Sequence, residues 1–116
     1  MKNFWKSYSQ FKTQREMFLF ISQNRPKYSF VSNELLGVDL TASNFAHVLP
    51  KAEAKYPLFK CYEKNIALLT RDEHFLWDQR RHSIDTIKQP GWLKLFSLEK
   101  ELKAEYEYIL SFKMQN

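Results

Sequence analysis

Three histidines, one cysteine and a short set of polar residues limit the chemistry open to this 116-residue chain. His47 sits in the apolar run Phe45 to Leu49 that stops at Pro50, Asn65 stands just before the run Ile66 to Leu69, and His74 and Asp78 follow four positions apart. On a helix, residues i and i+4 face the same way, so His74 and Asp78 could present an imidazole and a carboxylate to one metal ion. Such a pair suits Mg²⁺, Mn²⁺, Ni²⁺ or Zn²⁺ without fixing which. Cys61 is the sole cysteine, which excludes an internal disulfide and any Cys-x-x-Cys knuckle. A metal must then be held by His, Asp, Glu or Asn. An imidazole titrates near neutrality and can take a proton at cellular pH. His47, apart from the other two, is a candidate base, or else a structural histidine on a short strand. Asp78 has its own plain alternative, a solvated pairing with Arg81 or His82.

The elements that must position these groups are legible in outline. Residues 3–24 are predicted to be helical, with Phe4, Tyr8, Phe11 and Phe18 on one core-facing stripe. Arg25-Pro26 ends that helix, because proline disfavours helical geometry in the residue before it. Tyr28 to Val31 is predicted as a short strand leading through Ser32-Asn33 to a turn at Gly37. Phe45 to Leu49 and Ile66 to Leu69 are further strands, separated by an irregular or broken-helix segment over residues 51–64. Thr70-Arg71-Asp72-Glu73 is a capping-box pattern, so a helix starts there and carries His74, Asp78 and Arg81 toward Pro90-Gly91. Ser97 is expected to cap a last helix to about Phe112, anchored by Leu98, Leu102, Ile109 and Phe112. The order around the chemistry is strand, strand, helix.

Composition bounds the rest. The length suits one core and the 44% hydrophobic content is that of a folded chain, so residues 1–116 are read as one α+β domain. The longest apolar run, Met17 to Ile21, is far below the ~20 residues of a membrane helix, and residues 1–20 lack a signal-cleavage region. A cytoplasmic location is expected. The net charge is +5, and residues 1–28 carry all of it, with Lys2, Lys6, Lys12, Arg15, Arg25 and Lys27 against Glu16 alone. An anionic partner such as DNA would meet that face first. Lys6, Lys12, Lys51, Arg80 and Arg81 are the candidate phosphate contacts, with a solvated surface as the alternative.

The segments Ala46-His47-Val48-Leu49-Pro50, Asn65-Ile66-Ala67-Leu68-Leu69 and His74-Phe75-Leu76-Trp77-Asp78 together resemble the HNH endonuclease motif, a ββα-metal finger, in its Ala-His-hydrophobic-x-Pro form. The likeness covers roughly residues 28–80. It implies a ββα-metal core over 28–82, flanked by a basic N-terminal helix (1–27) and a C-terminal helical segment (83–116). It also implies a divalent-metal-dependent endonuclease or nickase that hydrolyses DNA phosphodiesters. In that scheme His47 is the general base, Asn65 pins the loop that orients the His47 ring, and His74 with Asp78 binds the metal. Two positions depart from the pattern. Ala46 stands where many members carry a further metal ligand, and Ser29 and Ser32 stand near the first of the paired cysteines that often hold a structural zinc. The alternative is a non-catalytic nucleic-acid-binding or assembly protein retaining a degenerate finger. A third possibility, a helical interaction protein, requires that residues 45–69 form no hairpin.

Overall fold

The computed structural model describes residues 11–50, 55–80 and 89–115, with Arg80 and the last three as backbone only. Among them are three α-helices and a two-stranded antiparallel sheet, an α+β arrangement: α1 (Gln14–Asn24), β1 (Phe45–His47), β2 (Ile66–Leu68), α2 (Arg71–Arg80) and α3 (Pro90–Gln115). Short 3-10 turns at Ala42–Asn44, Pro57–Phe59 and Glu63–Asn65 connect them. The strands pair in the register Phe45 with Leu68, Ala46 with Ala67 and His47 with Ile66. The hairpin that separates the finger from a purely helical chain is therefore present.

Alternation along these strands sends successive side chains to opposite faces. Ala46 and Ala67 face a core built with Val48, Leu49, Phe59, Leu69, Trp77 and the α3 stripe Trp92, Leu95, Leu102, Tyr106 and Ile109. Phe45, Ile66 and Leu68 face a second cluster with Met17, Ile21 and Cys61. Full burial of an aliphatic side chain such as Leu49 or Leu95 contributes roughly 1.5–3 kcal/mol. The hairpin is thus gripped from both sides, by α1 on one face and by α2 and α3 on the other.

Local sequence explains where the helices start. Thr13 caps α1 by accepting from the Glu16 N–H at 3.1 Å, and a Glu16 carboxylate oxygen accepts from the Lys12 N–H at 3.2 Å. α1 therefore begins at Gln14, residues 11–13 being non-helical, and the part of the expected helix over residues 3–10, with Phe4 and Tyr8, lies outside the described residues. Phe18 does pack inward, stacked on Phe45 with ring centroids 4.3 Å apart. α2 has the expected capping box: Thr70 Oγ1 accepts from the Glu73 N–H at 3.1 Å and Glu73 Oε1 from the Thr70 N–H at 2.9 Å.

Three expectations are corrected. Ser97 lies inside α3, which begins seven residues earlier at Pro90. Proline fits the first helical position because its missing N–H would have no partner there. The following Gly91 lets the helix start close against the turn before β1, since a Cβ on it would collide with the Val31 carbonyl oxygen. Phe112, expected as an anchor, is an exposed residue of that helix. Tyr28 to Val31 is not a strand either. Tyr28 makes an isolated bridge to Leu35, and between them the chain folds into a tight turn with Asn33 at φ 62°, a left-handed conformation that asparagine tolerates.

That turn and the end of α1 close the outer edge of β2. The Arg25 guanidinium donates to the Ile66 and Glu63 carbonyls at 2.6 and 2.5 Å, and the Phe30 N–H donates to the Leu68 carbonyl at 2.7 Å. Carbonyls left bare there would be an unpaired strand edge.

Candidate functional site

Three polar joints fix the unit of β1, β2 and α2. Asn65 is 1% exposed and ends the turn that feeds β2. Its Oδ1 accepts from the Leu49 N–H at 2.7 Å, and its Nδ2 donates to the Leu49 carbonyl at 3.1 Å and the Phe59 carbonyl at 3.4 Å. The backbone adds Val48 N–H to the Asn65 carbonyl at 2.8 Å. Asn65 thus straps down the two residues that follow His47, Val48 through its backbone carbonyl and Leu49 through its side-chain amide. Nearby, Asn44 Nδ2 donates to the Leu69 carbonyl at 2.9 Å and ties the entry of β1 to the exit of β2.

The second joint docks α2 on β1. His74 Nδ1 lies 2.7 Å from the Ser43 carbonyl, and the buried Trp77 donates Nε1–H to the His47 carbonyl at 3.1 Å. A carbonyl only accepts, so Nδ1 carries the proton and Nε2 is left to face outward along the helix. There it meets Asp78 Oδ2 at 3.0 Å. The hydrogen bond to Asp78 raises the His74 pKa above its ordinary value, burial opposes this, and the Ser43 carbonyl and the Asp78 charge add to the rise.

The third joint is Ser29, buried at the turn. Its Oγ accepts from the Val31 and Ser32 N–H groups at 3.1 and 3.0 Å and donates to Glu73 Oε1 at 2.6 Å. Glu73 therefore serves two elements, its own helix cap and the turn. This hydrogen-bonded hydroxyl ties the turn to α2, near where the resemblance would put the first of the paired cysteines.

His47 ends β1 on the same strand face as Phe45. Its Nε2 lies 3.4 Å from the Lys60 carbonyl and its ring stands edge-on to Phe18 at 6.4 Å between centroids. A proton on Nε2 donated to that carbonyl assigns the accepting role to Nδ1. Ala46, its neighbour, is fully buried on the opposite face. A core alanine offers no donor, so His74 and Asp78 make a two-donor set, and among the described residues no group of three or more His, Cys, Asp or Glu side chains gathers around one point. One imidazole and one carboxylate fit a catalytic divalent ion whose other positions go to phosphate and water, and do not fit a closed structural zinc.

Asn65, His74 and Asp78 are held in one unit with the backbone of His47, but the His47 ring lies on the α1 face of the sheet, against Phe18, whereas α2 with His74 and Asp78 packs on the other. Lys12 is exposed on the approach to α1. Arg80 ends α2, while Lys6, Lys51 and Arg81 lie outside the described residues. Sequence reasoning missed Trp77 as the donor to His47, and Ser29 and Arg25 as joints. The signal for Trp77 was present, since it lies three residues beyond His74 and so on nearly the same helix face. Cys61 is a core residue, buried with Met17, Ile21 and Leu68, and that burial raises its thiol pKa. Among the described residues no helix is long and apolar enough to cross a membrane. No protein-family model, no curated protein and no solved structure matches this chain.

Proposed function

We propose that the chain is a divalent-metal-dependent endonuclease or nickase of the HNH type, acting on DNA phosphodiester bonds. The observation that carries the reading is the pairing of His74 Nε2 with Asp78 on a helix hydrogen-bonded to the His47 carbonyl, opposite a buried Asn65 that straps the next two residues. His74 and Asp78 would hold the ion. When bound, it would neutralise charge developing on the phosphate and the leaving oxygen.

His47 takes a proton from the attacking water as the new oxygen–phosphorus bond forms and the ester oxygen–phosphorus bond breaks. The leaving alkoxide is then protonated from solvent. Asn65 does no proton transfer. It keeps residues 48–49 from shifting, so the His47 ring starts from one geometry and not from an ensemble. Ser43 fixes the His74 tautomer, as a carbonyl behind a metal-binding imidazole commonly does.

Two observations favour the alternative, a non-catalytic nucleic-acid-binding protein: the buried Ala46 leaves only two protein donors, and the His47 ring packs on the α1 face of the sheet, across from α2. A plasmid-nicking assay with Mg²⁺, Mn²⁺, Ni²⁺ or Zn²⁺ against an EDTA control separates the two. The nuclease nicks with at least one metal and stops in EDTA, whereas the alternative binds the plasmid and leaves it supercoiled throughout.

A further inference from the structure

Beside the covered outer edge of β2 lies a cavity of about 370 Å³, in the size range of small-molecule sites. Arg25 and Lys94 line it with Tyr28, Phe30, Ser32 and Asn33, and among the described residues no carboxylate does. Among the described residues neither cation of the cavity stands in an ion pair. The Arg25 guanidinium is half-buried, its bonds go to neutral carbonyls, and burial lowers its pKa with only the charge of Glu63 opposing. An unpaired, partly desolvated cation is costly, and an anion in the cavity offsets that cost. Lys94 is brought there by the close start of α3 at Gly91, with its Nζ 4.7 Å from the Phe30 ring centroid. Tyr28 is 49% exposed, which leaves an aromatic surface at the cavity for a flat ring to stack on.

We infer that this cavity binds a 5′-phosphorylated nucleotide, the phosphate held by Arg25 and Lys94 and the base stacked on Tyr28. Ser32 and Asn33 supply polar groups for the sugar or base edge. The site lies at the edge of β2 away from β1 and does not depend on the hydrolytic reading.

Amide NMR titration of the full chain tests it, with 5′-AMP, adenosine and inorganic phosphate each taken to about 10 mM. The expected result is that 5′-AMP shifts the amides of residues 29–33 and 94, while adenosine and phosphate bind there about tenfold more weakly or worse. Lys94→Glu and Tyr28→Ala alter exposed side chains, and each should weaken 5′-AMP by roughly tenfold. A short single strand with a 5′ phosphate, if it binds more tightly than 5′-AMP, identifies a strand end as the natural occupant; if not, a free nucleotide. The inference is overturned if these amides do not move, if adenosine or phosphate alone binds as well as 5′-AMP, or if Lys94→Glu binds it unchanged.

Discussion

Asn65 and the His74–Asp78 pair lie at two ends of the same β1–β2–α2 unit and have opposite characters. Asn65 is buried with every bond made to neighbouring backbone. The pair is half-open, with Asp78 at 46% exposure, and its one bond joins two groups that could each take another partner. The difference separates two uses of polarity. A buried, fully bonded amide spends its interactions on geometry, whereas a solvent-accessible ion pair can exchange its shared proton for a cation or a substrate group.

Removing the buried partner should therefore hurt most. Asn65→Ala strands the Leu49 N–H and carbonyl in a dry environment and is expected to cost about 3 kcal/mol in urea denaturation. A loss below about 1 kcal/mol would mean that water replaces the amide and that the strap is weaker than its geometry. Ser29→Ala probes the other buried joint. It leaves two turn N–H groups and one Glu73 oxygen short of a partner, for an expected loss of about 2 kcal/mol.

The open pair should matter little to stability and in a pH-dependent way. Because the His74 pKa is raised above 6.5 when folded, the pair's stabilisation is fully present below pH 6.5 and fades as pH climbs through the raised value. Thermal denaturation of wild type and Asp78→Asn without added metal should differ most at about pH 5.5 and converge in alkali. Solvent screening keeps the difference to at most about 1 kcal/mol. Metal affinity sharpens the contrast: His74→Ala and Asp78→Ala should each lower it in titration calorimetry, and Asn65→Gln should not lower it through lost ligation. Weaker still should be single lysine changes on the basic N-terminal segment. Neutral substitution of Lys2, Lys6, Lys12 and Lys27 together should flatten the salt dependence of DNA binding, each contributing about one unit of slope or less.

The two short apolar runs that pair as β1 and β2, the α2 capping box and the His74–Asp78 pair were legible because each depends on residues a few positions apart. Thr70 and Glu73, or His74 and Asp78, fall within one helical turn. What sequence hid was long-range. Arg25 reads as a helix-breaking neighbour of Pro26, yet its guanidinium bonds to carbonyls 38 and 41 residues away. Ser29 reads as a turn residue, yet its hydroxyl reaches Glu73, 44 residues on. Pro90-Gly91 reads as punctuation because both residues break helices in their interior. At a helix start, proline loses nothing, and glycine admits the Val31 carbonyl that any side chain would exclude.

The central claim is that His47 takes part in the chemical step and is not needed for folding or binding. His47→Ala, measured for plasmid nicking alongside thermal stability, metal affinity and DNA affinity, tests it most directly. Nicking should fall by about 10²-fold or more while the other three stay near wild type. A His47→Ala protein that folds, binds metal and DNA, and nicks plasmid at the wild-type rate would contradict it.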